Sequence, residues 1–157
     1  MANEIERKFL VIGDEWKSLA VGVTYRQGYL STVKERTVRV RTAGDRGTLT
    51  IKGITRGVSR LEFEYDIPAA DANRMLDDLC ERPLIEKTRY TIREGPLTWE
   101  IDEFTGDNRG LVVAEVELSA PDQPLDRPPW IGDEISDDPR YFNANLVGHP
   151  YSSWRRA

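Results

Sequence analysis

The sequence predicts a mainly β domain of the α+β class, built on eight antiparallel strands with a few helical segments. Apolar and charged residues alternate along most of the chain, and turn signals rich in Gly, Pro or Asp bound each alternating run. Period-two alternation gives each strand one apolar and one ionic face. A succession of hairpins without crossover helices between them implies antiparallel pairing.

Strands are expected over residues 3–12, 24–32, 36–43, 47–53, 59–67, 86–93, 97–104 and 110–119. Asp45-Arg46-Gly47 and Glu94-Gly95-Pro96 supply hairpin connections. A short helix fits Asp14–Leu19. Between Pro68 and Pro83, the residues Ala72, Met75, Leu76, Leu79 and Cys80 recur at helical spacing, with Asp71 as N-cap. Near the end, Asp138 caps a helix with Pro139 in its first turn, running through Asn145 to a stop at Gly148. Residues 120–136, with Pro121, Pro124, Pro128 and Pro129, read as a loop or arm. There are no repeats, low-complexity tracts or heptads.

At 157 residues the chain is long enough for one domain, spanning 1–157, and short for two. A net charge of -5 argues against a general nucleic-acid binder, but local Arg and Lys clusters can still hold a phosphate ligand. Charged residues make up 31%, yet four Trp, six Tyr and the regular alternation indicate a folded chain. The lone cysteine, Cys80, lies among Met75, Leu76 and Leu79 and reads as a small buried hydrophobe; with no intrachain disulfide possible, a reducing cytoplasm is expected. The lone His149, between Gly148 and Pro150, reads as a surface residue and gives little support to Ser-His-Asp or Cys-His catalysis. No apolar stretch approaches membrane-spanning length, so no membrane partner is expected.

Glu4, Glu6 and Lys8 share one face of the first strand, while Ile5, Arg7 and Phe9 take the other. Two carboxylates side by side repel unless a cation lies between them, and Mg2+ or Mn2+ suits carboxylate oxygens. The pattern recurs. Arg39 and Arg41 oppose Val38 and Val40; Lys52 opposes Leu49 and Ile51; Glu62 and Glu64 oppose Phe63 and Tyr65. Lys87 and Arg89, Glu100 and Asp102, and Glu115 and Glu117 likewise occupy single faces. An ordinary sheet with one face in water would also show ionic faces, but with mixed signs. Here acidic pairs fall on four strands and basic groups on three others. That segregation is intelligible if the strands curl so that acidic and basic faces look across a shared cavity, and about eight strands suffice to close a barrel.

Glu4-Ile5-Glu6-Arg7-Lys8-Phe9-Leu10 resembles the N-terminal ExExK signature of the CYTH superfamily, the triphosphate tunnel metalloenzymes. Its ordered company strengthens the likeness: Arg26-Gln27-Gly28-Tyr29-Leu30, Arg39 and Arg41, Lys52, Ser59-Arg60 before Glu62 and Glu64, and Glu86-Lys87-Thr88-Arg89-Tyr90. Asp102, Glu115-Val116-Glu117 and Arg140-Tyr141 with Asn143 complete the series, from residue 3 to about residue 147. The resemblance implies a closed antiparallel eight-stranded tunnel with helices outside and a C-terminal helix, about 139–147, plugging one mouth. Only three residues precede Glu4, so the HFxxxxExExK element of the cyclase-like branch is absent, which points away from adenylate cyclase activity. No fused histidine-rich helical domain is expected either.

A polyanion needs cations along its length, and Arg39, Arg41, Lys52, Lys87 and Arg89 can supply them, with Arg140 closing over the substrate from the last helix. In line with the family pattern, Glu4, Glu6, Glu115 and Glu117 are assigned to the metal, with Glu62, Glu64 and Asp102 as outer ligands, water holders or partners of the basic side. Lys8 contacts phosphate or assists proton movement; Tyr29 is a candidate proton acceptor or a packing and hydrogen-bonding residue. Arg7 and Arg60 are expected to face outward. The leading function is metal-dependent hydrolysis of inorganic triphosphate, a small-molecule substrate, by a monomer or homodimer. The alternatives are an enzyme of organic triphosphates (thiamine triphosphate, nucleotides, ATP cyclisation) and a triphosphate- or polyphosphate-binding module without turnover.

Overall fold

A computed structural model of the chain describes residues 3–154. Among them, nine strands form one antiparallel sheet: β1 (Asn3–Val11), β2 (Val23–Ser31), β3 (Thr37–Ala43), β4 (Arg46–Lys52), β5 (Ser59–Ile67), β6 (Ile85–Glu94), β7 (Leu97–Phe104), β8 (Val112–Glu117) and β9 (Ile131–Glu134). Their order is β5-β4-β3-β2-β6-β7-β8-β1-β9, and β5 also pairs with β1. That extra pairing, Asn3–Ile5 against Ser59–Leu61, closes the first eight strands into a barrel. The opposite edge of β1 meets β8, from Glu6 opposite Glu117 to Leu10 opposite Val113. Where β5 ends its contact, the edge it occupied passes to β9, with Phe9 opposite Glu134.

Closure turns the ionic faces inward and the apolar faces outward, so the main cores lie between the barrel and its covering. On one side Phe9, Trp99, Ile101, Ala114 and Val116 pack with Trp16, Trp130 and Ile131. Trp16 sits in a 3-10 turn at Glu15–Leu19, the short helical element expected there, and meets Tyr90 edge-on at 5.1 Å. On the other side, helix α1 (Ala69–Asp78) lays Ala72 and Leu76 over Val40 and Leu49, with Cys80 buried beside them. Full burial of a side chain the size of Leu76 or Val40 contributes about 1.5–3 kcal/mol. Gly47 permits the close approach, since a Cβ there would come within 2.9 Å of the Ala72 Cβ.

Several local expectations are corrected. The β3–β4 and β6–β7 connections are two-residue turns at Gly44-Asp45 and Gly95-Pro96, each opening on a glycine of positive φ (63° and 59°), which suits the right-handed twist of the flanking strands. Helix α1 begins after Pro68, so Asp71 lies in its first turn and not at the N-cap, where its charge still faces the positive end of the helix. The proline-rich arm is not all loop: its prolines stop short of Ile131, leaving Ile131–Glu134 free to pair with β1. The terminal helix is broken at Phe142, whose backbone is extended, into a 3-10 turn (Pro139–Tyr141) and α2 (Asn143–Gly148). Asp138 caps the first piece, accepting the Arg140 backbone N–H at 3.1 Å.

The expected plug is present. Leu146 and Val147 of α2 pack against Tyr29, Ile85, Phe104 and Val113, the apolar inward residues at that end of the barrel. The ionic residues occupy the remainder of the interior.

Candidate active site

Ring order sorts the inward charges into two arcs, the acidic one continuous and the basic one interrupted by a single uncharged strand. Neighbouring strands β7, β8, β1 and β5 carry Glu100 and Asp102, Glu115 and Glu117, Glu4 and Glu6, and Glu62 and Glu64. Strands β4, β3, β2 and β6 complete the circle with Lys52, Arg39 and Arg41, the uncharged Tyr25, Gln27 and Tyr29, and Lys87 and Arg89. Each acidic strand neighbours another acidic strand, so repulsion within that arc must be offset from elsewhere.

Between the arcs lies a cavity of about 350 Å³, of a size to hold one small ligand. Its walls include Glu4, Glu6, Lys8 and Glu115 from one side and Arg39, Lys52, Lys87 and Arg89 from the other, with Tyr29 at the plugged end. Arg60 also lines it, against expectation. The register explains this: Glu4 is opposite Arg60, so Arg60 shares the inward parity of Glu62 and Glu64. Its guanidinium donates to the Gly53 carbonyl at 3.1 Å and to Thr37 Oγ1 at 3.4 Å. Arg7 does face outward, forked onto Glu134.

Two lysines bridge acid to acid. Lys8 Nζ lies 2.8 Å from Glu115 Oε1 and 3.7 Å from Glu6 Oε1. Lys52 Nζ lies 3.0 Å from Glu4 Oε1 and 3.6 Å from Glu62 Oε2. Burial weakens the charged form of Lys8, but Glu115 and Glu6 more than offset it and hold the amine protonated above its usual range. The carboxylates divide. Burial, with Glu62 close by, pushes Glu4 up to about 7 against the pull of Lys52. Burial, with Glu115 close by, likewise pushes Glu6 up to about 7. Glu115 is buried too, yet Lys8, Arg89 and Lys87 hold it well below the usual carboxylate range.

On the basic side, Asp102 is a buried counter-ion. Arg89 forks onto it at 2.8 and 2.9 Å, and Lys87 Nζ reaches it at 2.7 Å. Despite its burial these two cations keep its pKa low. Burial, only partly offset by Asp102, brings Lys87 down to about 8. Arg39 lies 3.6 Å from Glu64, and its buried Nε has no acceptor among the described residues. That orphan N–H beside the cavity suits an anionic ligand.

Not every expected residue reaches the cavity wall. Arg41 stacks on the Tyr25 ring at 4.8 Å, as Arg89 does, and burial and its neighbours Arg39 and Arg89 bring it down to about 10. Glu62, Glu64 and Asp102 stand behind the lysines and arginines they pair with, and Glu117 is exposed at the barrel end opposite Glu6. Arg140 does not close over the cavity. It pairs with Asp138 at 2.6 Å, stacks on Tyr141 and Trp154, and lines a groove outside the mouth with Trp154 and the exposed His149.

Glu4, Glu6, Glu115 and Glu117 are not gathered into a ready shell: no group of three acidic, His or Cys side chains among the described residues stands in metal-binding geometry. Lysine ammonium groups occupy the spaces between these acids. The donor set nonetheless suits a hard divalent cation, being all carboxylate oxygen, and Glu62 Oε2 is buried without a hydrogen-bond partner among the described residues.

The profile of the CYTH domain matches residues 2–148. The inorganic triphosphatase of Acetivibrio thermocellus is 53% identical over 155 residues, covering 99% of this chain and 99% of its own. The inorganic triphosphatase of Nitrosomonas europaea is 38% identical over 150 residues, covering 92% of this chain and 97% of its own. A crystal structure of an inorganic triphosphatase superposes with a TM-score of 0.66 at 32% identity, covering 91% of this chain and 96% of that one.

Proposed function

The chain belongs to the CYTH domain family, and from that premise we propose that it hydrolyses inorganic triphosphate to diphosphate and phosphate with the help of a divalent cation. The observation that carries the proposal is the opposition of a basic arc, interrupted only by the uncharged β2, and a continuous acidic arc around one cavity. A polyanion satisfies the first arc and a cation the second.

Arg39, Lys52, Lys87 and Arg89 bind phosphoryl oxygens, with Arg60 at the mouth adding a further fork. Arg41 supports this set from behind, through the Tyr25 stack it shares with Arg89. Mg2+ or Mn2+ would be held by Glu4, Glu6 and Glu115, with Glu117 and Glu62 adjoining, and would supply Lewis-acid polarisation of a phosphoryl oxygen. Lys8, flanked by Glu6 and Glu115, serves as a fixed cation that orders these carboxylates and not as a proton acceptor. Tyr29 builds the plugged end of the pocket and offers a hydroxyl to phosphate. In the reaction a water oxygen bonds to the terminal phosphorus, the phosphoanhydride bond breaks, and diphosphate leaves with the bonding electron pair. The proton lost by the water passes to the leaving diphosphate or to solvent. The chain's contribution is to position the reacting groups and neutralise the developing charge.

We read the chain as one catalytic domain whose pocket is complete within a single copy, and its lone buried Cys80 suits the cytoplasm. Phosphate release from tripolyphosphate, thiamine triphosphate and ATP, with and without chelator, tests the activity. Fast chelator-sensitive release from tripolyphosphate is expected. Equal slow rates on all three substrates would overturn the choice of substrate.

A further inference from the structure

One cavity residue comes from the plug and not from the barrel. Asn143, the first residue of α2, lines the same space as Lys87, Arg89 and Arg39. Its Oδ1 accepts from Lys87 Nζ at 3.0 Å and from Gln27 Nε2 at 3.1 Å. Lys87 and Gln27 are both buried, with Gln27 fully enclosed.

The chemistry of the neighbours fixes the orientation of this amide. An ammonium has three donors and no acceptor, so Lys87 can only face the oxygen end of Asn143. Gln27, meeting that same oxygen, must present its own Nε2. The Gln27 Oε1 is consequently left buried and unpartnered among the described residues. With its oxygen committed to two donors, Asn143 turns its Nδ2 the other way, and no acceptor for that nitrogen stands among the described residues. Lys87 has spent one hydrogen on Asp102 and one on Asn143. Its ammonium also stands over the Phe104 ring at 5.4 Å, but a third hydrogen has no polar acceptor among the described residues. Two adjacent groups therefore carry uncommitted donors at a cavity wall.

We infer that Asn143 is a substrate-binding residue, its Nδ2 donating to a phosphoryl oxygen of inorganic triphosphate while its Oδ1 orients Lys87 towards the same anion. This rests on the triphosphatase reading above. Helix α2 is then part of the binding pocket as well as its stopper, and its docking through Leu146 and Val147 sets the position of a substrate contact.

The inference separates a binding role from an anchoring one. Asn143→Asp keeps an oxygen for Lys87 and Gln27 but replaces the donor by a carboxylate oxygen. If Asn143 binds phosphate, KM for tripolyphosphate rises about tenfold or more, with kcat changed far less. Asn143→Ala, lacking donor and acceptor, raises KM by about tenfold. Asn145→Asp is the charge-matched control: Asn145 lines the same cavity, but its amide donor is already spent on the Pro139 carbonyl at 2.8 Å, so its KM rise should be clearly smaller. Thermal melts of all three variants show whether each remains folded at the assay temperature, and if Asn143→Ala does not, the two Asp variants decide. A KM within twofold of the wild type for Asn143→Asp overturns the inference, as does a rise no larger than that of Asn145→Asp. A wild-type chain that neither binds nor hydrolyses tripolyphosphate overturns the triphosphatase reading itself, a result distinct from both.

Discussion

Arg89 and Asp102 stand directly opposite each other on β6 and β7 and form a two-pronged ion pair at 2.8 and 2.9 Å inside the barrel. The same carboxylate holds Lys87 at 2.7 Å. Asp102→Asn would leave two buried cations short of their counter-ion. Removing one partner of a buried pair costs on the order of 3 kcal/mol, so the midpoint of urea unfolding should fall accordingly. A variant as stable as the wild type would show that Asp102 is not the structural counter-ion.

Arg140 lies outside the cavity, exposed and engaged with Asp138, Tyr141 and Trp154. Surface ion pairs of this kind are screened by solvent and contribute little. Arg140→Ala should therefore leave kcat/KM for tripolyphosphate within about threefold of the wild type, since no bound-state contact is lost. A hundredfold drop in steady-state assays would mean that the terminal segment moves over the substrate.

Arg60 lines the mouth of the cavity. Loss of one charge-assisted hydrogen bond corresponds to about a tenfold change in affinity, so Arg60→Ala should raise KM by about that factor. Arg60→Lys should recover only part of it, because an ammonium cannot reproduce a planar fork. Unchanged KM in both variants would return Arg60 to a purely structural role.

Glu4 and Glu6 each hold their proton up to about pH 7 in the fold, against an ordinary value of 4.5, with burial the leading cause. Between those limits the folded chain binds protons that the unfolded chain has released, so stability declines as pH rises through that window. Glu100, also raised chiefly by burial, acts in the same direction. Glu115 and Asp102, both lowered, contribute stability that is lost only in more acidic solution. In chelator, unfolding free energy should drop from pH 5 to pH 8 by on the order of 3 kcal/mol, and added Mg2+ or Mn2+ should restore stability at pH 8. A flat or rising profile in chelator would contradict the crowding of these acids.

Much of this architecture is legible in the chain because a strand has only two faces. The parity of Glu4, Glu6 and Lys8, or of Arg39 and Arg41, is enough to separate ionic from apolar sides, and the inward direction follows once strands carrying one sign are seen to be distinct from those carrying the other. Arg60 was legible by the same rule, two residues before Glu62, but stands at the strand's very start where parity is easily lost. Strand β9 was not, because Gly132-Asp133-Glu134 has no strand-like composition and pairs only because β1 offers it a free edge. Ring order is likewise a property of long-range pairing, so neither the gathering of the charges into two arcs nor the seating of Lys8 between Glu6 and Glu115 can be read from local pattern. The break at Phe142, which sets Asn143 against Lys87, belongs to the same class.

The most direct measurement is calorimetric titration of tripolyphosphate into the chain with a divalent cation and again in excess chelator, under conditions too brief or too cold for turnover. If the acidic arc must be bridged by a cation before a polyanion can lie beside it, binding with Mg2+ or Mn2+ will be at least tenfold tighter than in chelator. Equal affinity in the two titrations would contradict the account.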